Sequence, residues 1–179
     1  MARTYESIDE LLGDVFVLVE DNREQLSLVA AKAAEATLKE RVFNNGLDVN
    51  GARIGTYSTN PSSFGVSAFA VKSKFKPNPN RRSVFVPDGY SGLRQLNGRQ
   101  NAYVDLQYTG SLIRSIVVQS VGNQLHALVF QNDEEETIGR ANEERFDKTI
   151  FAAGDAEVEA METAVSLELD VLFTETFGS

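Results

Sequence analysis

The sequence has no cysteine, no tryptophan and a single histidine. Without thiols it forms no disulfide, performs no thiolate chemistry and builds no Cys/His zinc site. The lone histidine, His126, would have to serve any Ser–His–acid triad, yet it falls inside a predicted strand beside no nucleophile turn. A strand histidine, exposed or satisfied at a subunit contact, is the plainer reading. Long apolar runs are missing too: nothing approaches the ~20 residues a helix needs to cross a bilayer. The Met1–Ser7 stretch lacks the apolar core of a secretory signal, so the expectation is a chain kept in the cytoplasm, or in what is assembled there, with no membrane partner. Neither a phosphate-cradling glycine loop nor a dinucleotide-binding fingerprint is present.

Carboxylates are abundant but poorly arranged for chemistry. Asp133-Glu134-Glu135-Glu136 lacks the spaced ligands and turn glycine of a calcium loop, and reads as a solvated helix start. Glu143, Glu144 and Asp147 have no neighbour that would raise one carboxyl into the range of a general acid. The expectation is therefore a non-enzymatic protein, with no catalytic residue, no metal and no cofactor.

What is present suits one folded domain: 179 residues, 42% of them hydrophobic. The net charge of −9 argues against a chain that coats nucleic acid along its length. That mean conceals a split. Residues 52–100 hold Arg53, Lys72, Lys74, Lys76, Arg81, Arg82, Arg94 and Arg99 against the single acid Asp88, giving +7 and leaving −16 elsewhere. So large an asymmetry concerns partners more than fold.

Three regions follow from the pattern: a helical region 1–45, a basic arm or loop 46–102, and a sheet with C-terminal helices over 103–179. Ser7-Ile8-Asp9-Glu10 fits a capping box ahead of an apolar stripe of Ile8, Leu11, Leu12, Val15, Phe16 and Val19. A second helical run, about 23–44, carries Leu28, Ala31, Ala34, Leu38 and Val42 and stops at Asn45-Gly46. The two form one bent rod or a hairpin. From Gly46 to Asn101, Gly, Asn, Ser and Pro dominate, with strand-like pieces at Val66–Val71 and Ser83–Val86. This segment is either a surface excursion or a projecting arm or β-hairpin that orders against a neighbour, and its basic charge favours the latter. Lys72, Lys74 and Lys76 alternate, so in a strand they share one face, either as a phosphate-attracting patch flanked by Phe69 and Phe75 or as the guard of an exposed edge.

Beyond it, Tyr103–Gln107 reads as a strand and Thr109 as the cap of a helical turn. Ile116–Val121 and Leu125–Phe130 flank a Gly122-Asn123 turn. A helix covers about 134–146, and Asp155 reads as the cap of a last long helix with Glu157 in its first turn and Val158, Met161, Val165, Leu169 and Leu172 on its stripe. The fold class is α+β, a small antiparallel sheet packed with long terminal helices.

Asp105-Leu106, followed by Thr109-Gly110, Leu112 and Ser115-Ile116, resembles the signature of tailed-bacteriophage virion-morphogenesis proteins, the head–tail connector and tail-completion family. The helical region ending at Phe43-Asn44-Asn45-Gly46, the Val42–Tyr57 stretch, the hairpin Ile116–Phe130 and the Ala141-Asn142-Glu143 segment leading to Phe146 fall where that family has them. The long middle loop and the extra N-terminal helix depart from its shorter members. The resemblance implies a virion protein assembled in the host cytoplasm: a homo-oligomeric ring of six or twelve copies in the neck, between the portal protein and other neck or tail rings. It also implies possible non-specific contact with genomic DNA in the channel, leaving a tail terminator or a nucleic-acid-binding module as alternatives. On this reading Asp105, Leu106, Thr109, Gly110, Leu112 and Ser115 are structural. Lys72, Lys74, Lys76, Arg81, Arg82, Arg94 and Arg99 form a basic arm facing a partner or DNA, with protein docking favoured.

Overall fold

The computed structural model describes residues 6–70, 75–107 and 109–178. Helix α1 (Ile8–Asp21) starts where the capping residues place it. The Ser7 hydroxyl accepts the Glu10 N–H at 3.2 Å, and the Glu10 carboxylate reaches back to the N–H of Glu6. Helix α2 (Arg23–Lys39) follows after one residue. Asn22 leaves helical geometry (φ −105°, ψ 13°), yet its N–H still bonds Leu18 and its carbonyl still accepts from Leu26. The two helices are thus a rod bent at Asn22, not a hairpin. None of the α1 residues is buried.

The last turn of α2 widens into a π-helical turn, Glu40–Asn44, which buries Arg41, Val42 and Phe43. Gly46 ends the rod at φ +62°, where a Cβ would run into the Tyr103 ring and lie 2.5 Å from the Val104 carbonyl oxygen.

Residues 46–102 are not a bare arm. Strands β1 (Ser62–Gly65) and β2 (Ser83–Val86) pair antiparallel, and helix α3 (Gly89–Leu96) packs across them. Phe69, Val86 and Leu93 are the centre of a small core, with Phe64, Phe75, Val84, Tyr90 and Leu96 around it. This lobe corrects the expected strand at Val66–Val71, since Val66–Ala68 is a 3-10 turn. It also removes Phe69 and Phe75 from the surface reading, because their rings pack 5.3 Å apart inside the lobe.

The strand expected at Tyr103–Gln107 does not form: Tyr103 is a bend, Leu106 takes φ +51°, and the segment joins no ladder, although the Val104 N–H donates to the Gly55 carbonyl at 3.0 Å. Helix α4 (Ser111–Ser115) leads into the hairpin of β3 (Ile116–Gly122) and β4 (Leu125–Phe130). The turn lies one residue later than expected. Asn123 and Gln124 both take positive φ, as a two-residue primed turn demands, and Gly122 sits in the register shift. Helix α5 (Asp133–Phe146) closes against β4 through Gly139, where a Cβ would come within 2.8 Å of the Phe130 ring.

Helix α6 (Asp155–Phe177) lies along α2; its cap residue is Gly154, and Asp155, expected as the cap, is instead its first residue. Alanines on both helices permit the approach, and Leu26, Ala31, Ala34, Leu38 and Leu172 are buried. Val158, expected on the stripe, is exposed. The main core joins Leu38, Val42, Phe43, Ile54, Val104, Leu112, Ile116 and Ile150, so residues 38–150 of the chain converge on one cluster. Each large member stabilises the fold by about 1.5–3 kcal/mol on burial. The α+β class holds, with two two-stranded antiparallel sheets among the described residues and long terminal helices. No helix among the described residues is long and apolar enough to span a membrane.

Candidate assembly surface

The signature segment makes a corner of the main core. Gly110 turns the chain at φ +76°, a left-handed conformation that favours glycine. Thr109 does not cap α4 in the usual way: Gly110 is the cap residue, and the Thr109 hydroxyl accepts the Ser111 N–H at 3.2 Å beside the Ser111 hydroxyl. Leu112 is buried in the core, and the Ser115 hydroxyl donates to the Leu112 carbonyl at 2.8 Å. Leu106 bends the segment with φ +51° and packs on the same cluster.

Asp105 has a role the sequence did not expose. Both oxygens of its carboxylate accept from Arg94 Nη2, at 2.9 and 2.7 Å. The carboxylate also accepts from the Tyr57 hydroxyl (2.7 Å), Gln100 Nε2 (2.6 Å) and the Gln107 N–H (2.9 Å). The rest of the Arg94 guanidinium bonds the carbonyls of Gln100 and Gln107 and lies 4.3 Å above the Tyr57 ring. Arg94 is only 1% exposed, so it is not part of a partner- or DNA-facing arm. It is the clasp that fixes the lobe to the signature corner.

The other basic residues divide. Arg99 is half-buried and donates to the Gln107 carbonyl at 3.2 Å, so it too serves the clasp rather than an open surface. Lys76, Arg81 and Arg82 are exposed at the far edge of the lobe, and Lys72 and Lys74 lie outside the described residues. Phe85 on β2, four residues after Arg81 in sequence, is 65% exposed. A cleft of about 500 Å³ opens where the lobe meets the corner, lined by Tyr57, Phe64, Tyr90, Leu112, Ile138 and Phe146 among others.

Compared with protein-family models, curated proteins and solved structures, the chain matches none.

The acidic residues weighed for chemistry have structural work. Glu143 Oε1 accepts the N–H groups of Ile150 and Phe151 at 2.7 and 3.0 Å. Asp147 ends α5 at φ +52°. Asp133–Glu136 form the first turn of α5 behind Asn132, whose side chain accepts the Glu135 N–H. Among the described residues no group of three His, Cys, Asp or Glu side chains is placed to hold a metal ion. His126 is half-buried, its N–H bonded to the Ser27 hydroxyl and its Nδ1 buried without a partner. Asp48 ties the loop after α2 to the chain near α5. Burial alone would raise its pKa, but the Lys148 ammonium at 2.9 Å and the N–H groups of Ala52 and Asn50 outweigh that and hold it below the usual value.

Tyr57 offers a direct reading of the clasp. Burial raises its pKa, and donation to the Asp105 carboxylate raises it further, because ionisation would set two anions together. Folding therefore favours the protonated phenol, and that contribution is lost as pH rises above 10. In a phenolate absorbance titration we expect Tyr57 to resist ionisation until the chain unfolds, so Tyr57→Phe should remove a late-ionising phenol. Asp105→Asn, which removes the facing charge, should lower the pH at which Tyr57 ionises. A Tyr57→Phe variant that leaves the late part of the titration unchanged would contradict the clasp.

Proposed function

We propose that the chain is a non-enzymatic structural subunit of a tailed-bacteriophage head–tail junction, forming an oligomeric ring between portal and tail that helps retain and conduct DNA. The observation that carries this reading is the corner itself. The residues that resemble the family signature serve folding: Gly110 turns the chain, Leu112 fills the core, Ser115 bonds local backbone and Asp105 clasps the lobe. A motif of that kind marks a shared scaffold, and its neighbours are docking surfaces. Polarised charge supports the same reading. Exposed Arg81 and Arg82 lie on the lobe, while α6 carries seven acids and no base. A ring subunit needs two unlike surfaces that meet by rotation.

The expected result is closed rings of the purified chain in negative stain and its detection by mass spectrometry in intact virions. A monodisperse monomer that is absent from virions would overturn the proposal. Tight, nuclease-resistant DNA binding by such a monomer would instead favour a nucleic-acid-binding module.

A further inference from the structure

Helix α1 is the least explained element of the fold. A 14-residue helix is marginal in water on its own, and most helices owe their stability to a packed apolar face. In α1 that face is present but uncovered: Ile8 is 75% exposed, Leu12 58% and Phe16 68%. At 100° per residue, Ile8, Leu11, Leu12, Val15, Phe16 and Val19 form one stripe. Asp9 and Glu20 flank one side of it, and Glu10, Asp14 and Asp21 the other. The helix holds these five acids and no base.

Charge limits what can cover such a face. A second α1, placed antiparallel, would set five acids against five. The outer face of α6 is also acidic, with Asp155, Glu159, Glu162, Asp170 and Glu175. Both arrangements are opposed by like-charge repulsion. The lobe is the complement. It presents exposed Phe85 on β2, three and four residues along the chain from exposed Arg82 and Arg81, so an uncovered ring and two cations fall within one short stretch. Among the described residues of one chain, α1 has no buried residue and Phe85 stays exposed, so neither face is covered.

We infer that α1 of one copy docks on the Phe85–Arg81–Arg82 surface of the next copy's lobe, giving a head-to-tail contact between copies. This deepens the ring reading and rests on it for one point, that copies of the chain meet. Each copy then donates one α1 and receives one, and such a contact closes into a ring or continues as a filament according to its rotation. Phe16 and Leu12 fill the apolar centre, and Asp9 and Glu20 face the guanidinium groups.

The test uses the full chain in sedimentation and light scattering, with far-UV circular dichroism as a check of folding. Wild-type protein associates, and association weakens as salt rises. The lobe variant Arg81→Glu/Arg82→Glu and the helix variant Asp9→Lys/Glu20→Lys each associate at least tenfold more weakly while keeping their helix content. An equimolar mixture of the two variants regains association, because each reversed helix then meets a reversed lobe and each native helix a native lobe. Association untouched by either reversal overturns the contact and leaves the ring reading intact. Loss in both variants without recovery on mixing also overturns it. A wild-type chain that stays monomeric yet is found in virions overturns the contact alone, whereas a monomer absent from virions removes both.

Discussion

Replacing Arg94 with methionine is expected to lower the stability of the folded chain by about 3–5 kcal/mol, the cost of leaving a buried charge without its partner. Asp105, itself buried, would keep the Tyr57, Gln100 and Gln107 donors but lose the cation that compensates its charge. The carbonyls of Gln100 and Gln107 would lose the guanidinium as well. Arg94→Lys should recover only part of the loss. An ammonium supplies one point of charge where the guanidinium forks to a carboxylate, two carbonyls and an aromatic face. Denaturant unfolding followed by circular dichroism measures the change as a lower midpoint. A loss below about 1 kcal/mol, the value typical of an exposed ion pair, would mean that the pair is wet and that the lobe is not clasped.

The same residue shows why part of the site was hidden in the sequence. Counting charge over residues 52–100 sets Arg94 against Asp88 alone, so it reads as a free cation. Its true partner, Asp105, lies eleven residues further on, outside that window. A buried arginine is rare unless paired, and only the tertiary fold reveals the pair. Helix α3 was concealed by composition. Pro87, Gly89 and Gly92 argue against a helix locally, yet Gly92 is needed because a Cβ there would lie 2.8 Å from Val86 Cγ1. Tertiary packing overrode propensity.

By contrast α2, α5, α6 and the hairpin were legible, since long periodic stripes and a two-residue turn are strong local signals. The stripe of α1 was legible too, and correctly read as a helix. What periodicity could not say is that the stripe stays largely exposed, with Ile8, Leu12 and Phe16 each more than half exposed. Hydrophobic pattern reports that a face seeks a partner; it does not report whether the partner is in the same molecule.

The second large effect is expected at Glu157, in the first turn of α6. It is fully buried, accepts Arg41 Nε at 2.7 Å and takes the Gly154 N–H at 2.8 Å. Arg41 directs its remaining donors to the carbonyls of Leu47, Ile150 and Ala152, so one guanidinium ties the end of α2 to the start of α6. Glu157→Ala removes the counter-charge and the bond to the helix start together. About 3–5 kcal/mol should be lost from the first and about 1 kcal/mol from the second. For a chain of this size each kcal/mol moves the melting temperature by about 2–4 °C, so a fall of about 10 °C or more is expected by calorimetry. The double variant Arg41→Met/Glu157→Leu separates charge from packing. With both ions gone no charge is stranded, so it should melt above Glu157→Ala although it has lost the same salt bridge. If the double variant instead melts below the single, the carbonyls that Arg41 satisfies matter more than the charge it neutralises. Helix α6 would then be held to α2 through backbone hydrogen bonds rather than through the ion pair.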